Sequence, residues 1–349
     1  MIEEQPLKLP ARLVDTQDLP EDRTATQALR PERLSDFVGQ TSIKQRLDIA
    51  IQAARERTEP LDHVLFSGPP GLGKTTLSTI IAREMGSQVH VTSGLAIERP
   101  GDLASILTKL QKRDVLFIDE IHRLNRGIEE VLYTAMEDYR LDIIVGKGPS
   151  AQTLQIDLPP FTLVGATTRT GLLTGPLRAR FGHHFTLEYY TPEDLGRIIR
   201  RSADLLGMKL EPDAALELSG RSRGTPRVAN RLLRRVRDFA QVHRNEKVDL
   251  DVVKKALHLL GIDEIGLDAL DRQLMALLVH RYRGTPVGLK NLAVSLGEDP
   301  HTLEEVYEPY LIQIGLVTRT PRGRMATQRA VIHFGGGPEP TGHQQLLPL

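Results

Sequence analysis

The chain has 349 residues, with 45 Lys plus Arg against 45 Asp plus Glu, and no cysteine. That length exceeds one ordinary hydrophobic core and implies two or three domains, while the balanced charge singles out no partner. The missing cysteine excludes disulfides, thiol catalysis and cysteine–zinc modules.

Residues 1–25 include the acidic, proline-broken stretch MIEEQPLKLPARLVDTQDLPEDR, which is not a secretory signal and is expected to be a disordered arm. The tail 335–349 is expected to be disordered too, and no stretch approaches the length of a membrane span. A soluble, cytoplasmic protein is expected. From about residue 42, SIKQRLDIAIQAARER reads as a helix, HVLFSG as an apolar strand, and TTLSTIIAREM as a helix after a glycine loop. Further β-rich runs follow at QVHVTS, DVLFIDE and TLVGATT, with helical stretches between them. This alternation predicts an α/β domain over 26–191, with a parallel sheet covered on both faces.

One segment interrupts the alternation. YRLDIIVGKGPSAQTLQIDL, residues 139–158, reads as a hairpin turning at Gly146–Pro149. Leu141, Ile143, Val145 and Leu154, Ile156, Leu158 alternate along its strands, which suits either an ordinary edge hairpin or a projecting docking surface. From 192 to 262 the pattern is all helical, a small second domain. The third block, 263–334, has a helix around 269–282, a short one near LKNLAVSLG and another near TLEEVYEPYLIQIG, whose extent Pro309 obscures. A strand, a Pro-Arg-Gly turn and a second strand within LVTRTPRGRMATQRAVIHF complete the pattern of a winged helix.

The chemistry lies at the strand ends. Gly68 to Thr75 fits G-x-x-x-x-G-K-T between an apolar strand and a helix, the context in which backbone N–H groups cradle phosphates. Gly71 and Gly73 belong to that cradle, Lys74 would reach the β- and γ-phosphates of ATP, and Thr75 would ligate Mg²⁺. VLFIDEIHR ends an apolar strand in Asp119, suited to the metal, and Glu120, suited to polarising the attacking water. An acidic pair can also simply cap the next helix. LVGATTR ends in Thr167 and Thr168, where a hydroxyl could reach the γ-phosphate or its water, though threonine is also common in strands for packing. GPLRARFG offers Arg178 and Arg180, and RGTPRVANRLLRRVR offers Arg227 inside a helix with Thr225 as N-cap and Pro226 as first residue.

LRPERLSDFVGQ, GPPGLGKTT, DEIHR, GATTR, PLRARFG, RGTPRVANRLLRRVRDFA and RTPRGRMAT, in this order, resemble the RuvB family of AAA+ ATPases, the Holliday-junction branch-migration motors of recombination and DNA repair. The resemblance runs from about Leu29 to Phe334 and leaves the acidic arm and the tail unassigned. It implies that Leu29 and Arg30 border the adenine, that Thr76 joins the phosphate cradle, and that Tyr190 and Glu137, Asp138 and Tyr139 line the nucleotide site. It further implies that Arg180 is an arginine finger reaching a neighbour in a hexameric ring, and Arg227 the sensor of the chain's own nucleotide. Hairpin 139–158 would meet a RuvA-like junction-binding protein, with a RuvC-like resolvase in the same complex. Arg319, Arg322 and Arg324, in a stretch without acids, would hold the backbone of duplex DNA. A clamp-loading or remodelling AAA+ machine shares the motor but not the wing. A DNA-binding regulator using nucleotide only as a switch would not need Glu120 and Arg180.

Overall fold

The computed structural model describes residues 28–145 and 152–335. Five parallel strands form the central sheet in the order β2-β3-β6-β1-β7: β1 (Val64–Ser67), β2 (Val89–Ser93), β3 (Val115–Asp119), β6 (Thr162–Thr167) and β7 (His183–Thr186). β1 and β6 are buried along their whole length, as continuous apolar runs require in a sheet covered on both faces. β7 has no counterpart in the sequence reading. Its four residues, HHFT, carry no apolar run, and pairing with β1 makes them a strand.

The order sets β3, β6 and β1 side by side, so their carboxyl ends bring DE, TT and the glycine loop together. β4 (Arg140–Val145) and β5 (Gln152–Asp157) form the hairpin, an antiparallel ladder separate from the main sheet. Its base is fixed, because Leu141 and Leu158 are buried, whereas Leu154 is 54% exposed. The turn expected at Gly146–Pro149 lies outside the described residues.

Four helices follow: Pro192–Leu205, Pro212–Gly220, Pro226–Val242 and Leu250–Leu259. Three begin with proline, and Thr191 and Thr225 accept the N–H of Asp194 and Val228 as N-caps. The third unit starts with Ala269–Ala276, extended by a π turn over Leu277–Arg281, then Leu289–Leu296. Its third helix begins at Pro300–Thr302, widens into a π turn over Leu303–Tyr307 and resumes as Glu308–Gln313. Pro309 has no N–H to return to Glu305, and the wider turn before it absorbs that loss. β8 (Val317–Thr320) and β9 (Gly323–Ala326) form the wing, with Arg319 opposite Arg324. The second wing strand is shorter than the sequence suggests: Thr327 accepts the N–H of Ala330 and starts a last helix, Gln328–His333.

One continuous apolar core extends from one face of the sheet through the helical unit into the winged helix, while a second core fills the other face. A buried charge pair reinforces the junction of the helical unit and the winged helix. Arg223, 2% exposed, bonds the carboxylate of Asp271, 0% exposed, and donates through Nε to Gly266 O at 3.0 Å. Its guanidinium also lies 5.0 Å from the centre of the Tyr310 ring. Removing one member strands the other charge in the core, so Asp271→Ala should destabilise the protein by about 3–5 kcal/mol. Chemical denaturation followed by circular dichroism checks this, and a loss below about 1 kcal/mol would show the pair to be solvated.

Candidate nucleotide site

Only glycine lets the chain leave β1 as it does. Gly68 has φ 128°, and a Cβ there would stand 2.5 Å from the Leu187 carbonyl oxygen. The loop runs into helix Lys74–Met85, whose N-terminal N–H groups have no partner within the helix and face the loop. Lys74 is 7% exposed, and its ammonium donates to the carbonyls of Gly68 at 2.8 Å and Pro69 at 2.9 Å. Burial pulls that ammonium down to about 8, against the opposing attraction of Asp119 and Glu120.

Glu120 sits in the left-handed region at φ 49°, a conformation a non-glycine residue holds only where its surroundings enforce it. Two contacts do so. Asp119 Oδ1 accepts the Glu120 N–H at 3.0 Å. Gly94 allows close backbone approach, since a Cβ there would meet Glu120 O at 2.5 Å. Thr168 Oγ1 donates to Glu120 Oε2 at 3.2 Å, and His122 Nδ1 lies 3.2 Å from the same oxygen and 2.9 Å from Thr167 Oγ1. Burial holds the His122 ring neutral down to about 4, so it places no positive charge beside Glu120. Burial first, then Asp119, raises the Glu120 acid above its ordinary range. The arrangement is a carboxylate oriented by a hydroxyl, with a neutral imidazole close by, beside a buried ammonium, as activation of water at a phosphate requires.

These groups open into one cavity of about 920 Å³, within the range of small-molecule sites. Gly71, Gly73, Lys74, Thr75 and Thr76 form its floor, and Asp119, Glu120 and Thr168 one wall. Leu29, Arg30 and Tyr190 line another side, where Tyr190 donates to Leu72 O at 3.1 Å and Arg201 donates to Leu29 O at 2.9 Å. Arg227 enters from the helical unit, its Cβ only 3.2 Å from where a Cβ on Gly71 would be.

Other sequence-derived candidates lie elsewhere. Glu137, Asp138 and Tyr139 do not line this cavity; the Tyr139 ring packs edge-on against His63 at 6.5 Å and Phe161 at 5.9 Å. Arg180 is outside it as well, donating to Glu137 Oε2 at 3.1 Å and Pro176 O at 3.0 Å, with its guanidinium 4.4 Å over the Tyr133 ring. Glu137 and Arg180 thus share a separate patch. On the wing, Arg322 is exposed at the turn, but Arg319 and Arg324 are not bare. Their Nε atoms donate to Glu308 Oε1 at 2.7 and 2.9 Å, and Arg319 reaches the cavity wall. Sequence reasoning missed Arg123, Arg169, His301, Glu304 and Glu305, which also line the cavity. Arg123 and Arg169 end the motifs DEIHR and GATTR, a signal that was available.

A phosphate loop on a parallel sheet, a helical unit supplying Arg227 and a C-terminal winged helix define an AAA+ P-loop ATPase with a DNA-binding type of head. Three family models match consecutively: the Holliday junction DNA helicase RuvB P-loop domain over residues 29–187, the RuvB AAA lid domain over 190–263 and the RuvB C-terminal winged helix domain over 264–335. The chain belongs to the RuvB family. It is similar to a structure of the Thermotoga maritima RuvB Holliday junction branch migration motor, with 50% identity over 89% of this chain and 99% of that one, and a TM-score of 0.81. A mutant of the same Thermotoga protein matches at 50% identity over 88% of this chain and 99% of that one, TM-score 0.82. The Aeropyrum pernix Orc1 protein in complex with DNA shares the fold alone, at 18% identity over 88% of this chain and 94% of that one, and a TM-score of 0.51.

The depressed Lys74 ammonium has a measurable consequence. Nucleotide phosphates favour its charged form, so ATP binding at about pH 8.5 should take up a fraction of a proton per site. At about pH 7 the ammonium is already formed and uptake should be near zero. Calorimetry in buffers of different ionisation enthalpy checks both, and buffer-independent heats at the higher pH would show that Lys74 is charged throughout.

Proposed function

We propose that this chain is an ATP-driven, ring-forming DNA translocase that drives Holliday junction branch migration in homologous recombination and DNA repair. The observation that carries this reading is the composition of the cavity wall. The phosphate loop, the Asp119–Glu120 pair and Arg227 share it with Arg319 of the wing, so fuel site and grip adjoin.

In this reading the glycine loop and the start of helix Lys74–Met85 hold the triphosphate, and Lys74 moves from the Gly68 and Pro69 carbonyls to its oxygens. Thr75 and Asp119 both line the cavity and offer the hard oxygen donors Mg²⁺ requires. The bound ion would neutralise charge on the β- and γ-phosphates. Glu120, oriented by Thr168, holds the attacking water, and Arg227 reports the nucleotide state to the helical unit. Arg180 and Glu137, lying apart from their own cavity, serve a neighbour's nucleotide in a hexameric ring, with Asp138 and Tyr139 beside them. The hairpin meets a RuvA-like protein; its separate ladder and the exposed Leu154 support that use. A RuvC-like resolvase acts on the same junction in the cytoplasm.

The ring predicts complementation. Arg180→Ala should bind ATP yet lose roughly 10³-fold in turnover. Mixing it with Lys74→Ala subunits should recover activity, because an intact finger then faces an intact cradle. A steady-state ATPase assay of the mixture that stays at the sum of the two inactive proteins would exclude the trans assignment.

The wing predicts a salt signature. Arg319→Ala with Arg324→Ala should weaken duplex binding equally across sequences and lower the salt slope by about two phosphate contacts. Fluorescence anisotropy against salt concentration measures both, and unaltered duplex affinity would place the grip elsewhere.

A further inference from the structure

The winged helix touches the ATPase domain through polar contacts that border the nucleotide cavity. Arg169 Nη2 lies 3.3 Å from Glu304 Oε2 and 3.0 Å from Glu305 Oε1. Arg123 Nη2 lies 3.0 Å from His301 Nε2, and His301 is 3.3 Å from Glu305 Oε1. Glu304 also faces the other way. Its Oε1 is 3.4 Å from Arg324 Nη2 and 3.8 Å from Arg319 Nη2. One carboxylate therefore serves a guanidinium on the nucleotide side and two on the wing.

The two sides differ in permanence. Glu308 is 4% exposed and accepts from both wing arginines, a fixed counter-ion. Glu304 is 31% exposed and Arg169 37%, so water can replace their pairing at little cost. Arg169 directly follows Thr168, and its N–H donates to Thr167 Oγ1 at 2.9 Å, while Thr168 holds Glu120. A change at Glu304 thus reaches the water-activating carboxylate through three adjacent residues of one strand end.

We propose that Glu304 is a positioning residue that latches the winged helix onto the ATPase domain, so that ATP and DNA each open the same contact. Phosphates entering the cavity compete for Arg169, and phosphates of a duplex compete for Arg319 and Arg324. Whichever ligand binds first breaks the latch, and the second no longer has to. ATP and duplex DNA therefore reinforce each other's binding, reciprocally. The inference rests on the reading of the wing as the DNA grip.

The test measures duplex affinity of the full chain with and without a non-hydrolysable ATP analogue. In Glu304→Gln, nucleotide-free affinity should rise about 1.5- to fivefold, the range for partly exposed ion pairs, and the gain produced by the analogue should shrink by the same factor. Removal of a nearby negative charge alone would raise affinity equally in both states and leave that gain unaltered, which would overturn the latch. His301→Ala removes the adjoining Arg123–His301–Glu305 contact between the same two bodies and leaves Glu304 and the wing arginines in place, so it should shrink the gain likewise; an unaltered gain there also counts against the latch. Because the chain has no cysteine, Lys109→Cys with Val294→Cys places two unique spin labels on the two bodies. Their separation should change on adding the analogue in the wild-type background and be already changed in Glu304→Gln. A separation fixed across all states would overturn the proposal. Arg319→Ala with Arg324→Ala runs alongside. If it keeps duplex affinity, the grip reading falls and the inference with it. If it loses affinity while Glu304→Gln behaves as wild type, the latch alone falls.

Discussion

The ammonium of Lys74, buried under its own glycine loop, is the constraint around which the ATPase domain is arranged. A charge at 7% exposure is tolerable only where carbonyl oxygens and carboxylates surround it, and the loop bends to supply the first while β3 ends in the second. The sheet order follows from the same need. Only with β6 between β3 and β1 do Asp119, Glu120 and Thr168 arrive at that charge from separate stretches of chain. The backbone at Glu120 then bears conformational strain to present its carboxylate, and Gly94 exists in that spot because no side chain fits against it.

How much of this was legible beforehand depended on the range of the interaction. Apolar runs ending in DE and TT were visible as strands, and Thr225-Pro226 as a helix start, because those signals are contained within a few residues. The winged helix was visible from three helices followed by RTPRGRMAT. Short-range signals failed where tertiary pairing decides, as in HHFT, or where a cap outweighs β propensity, as at Thr327 before Gln328–His333. The basic stretch containing Arg319 and Arg324 read as free of acids because its acids lie on the preceding helix, at Glu304 and Glu308. The membership of Glu137, Asp138 and Tyr139 in a nucleotide site came from family resemblance; the fold places them on a different side from the phosphate loop of the same chain.

The contacts of the winged helix with its two neighbours are of opposite kinds. Toward the helical unit there is a shared apolar core and the Arg223–Asp271 pair, both shut away from water. Toward the ATPase domain, the ion pairs of Glu304 and Glu305 are a quarter to a third exposed and rest on an arginine at the rim of the nucleotide cavity. Solvent can substitute for the second set and not for the first. The helical unit and the winged helix therefore behave as a single body with one strong seam and one breakable one.

That asymmetry turns the Arg223–Asp271 pair into the stiff joint of a lever. Arg227, at the short end, sits against the phosphate loop, whereas Arg322 stands at the far tip of the wing on the same rigid arm. A tilt too slight to disturb the hydrogen bonds around Gly71 sweeps the wing tip through an arc that grows with its distance from the pivot. In the proposed motor, softening the joint would leave both ends chemically intact and let the arm flex, so that hydrolysis proceeded with its stroke dissipated before it reached the duplex.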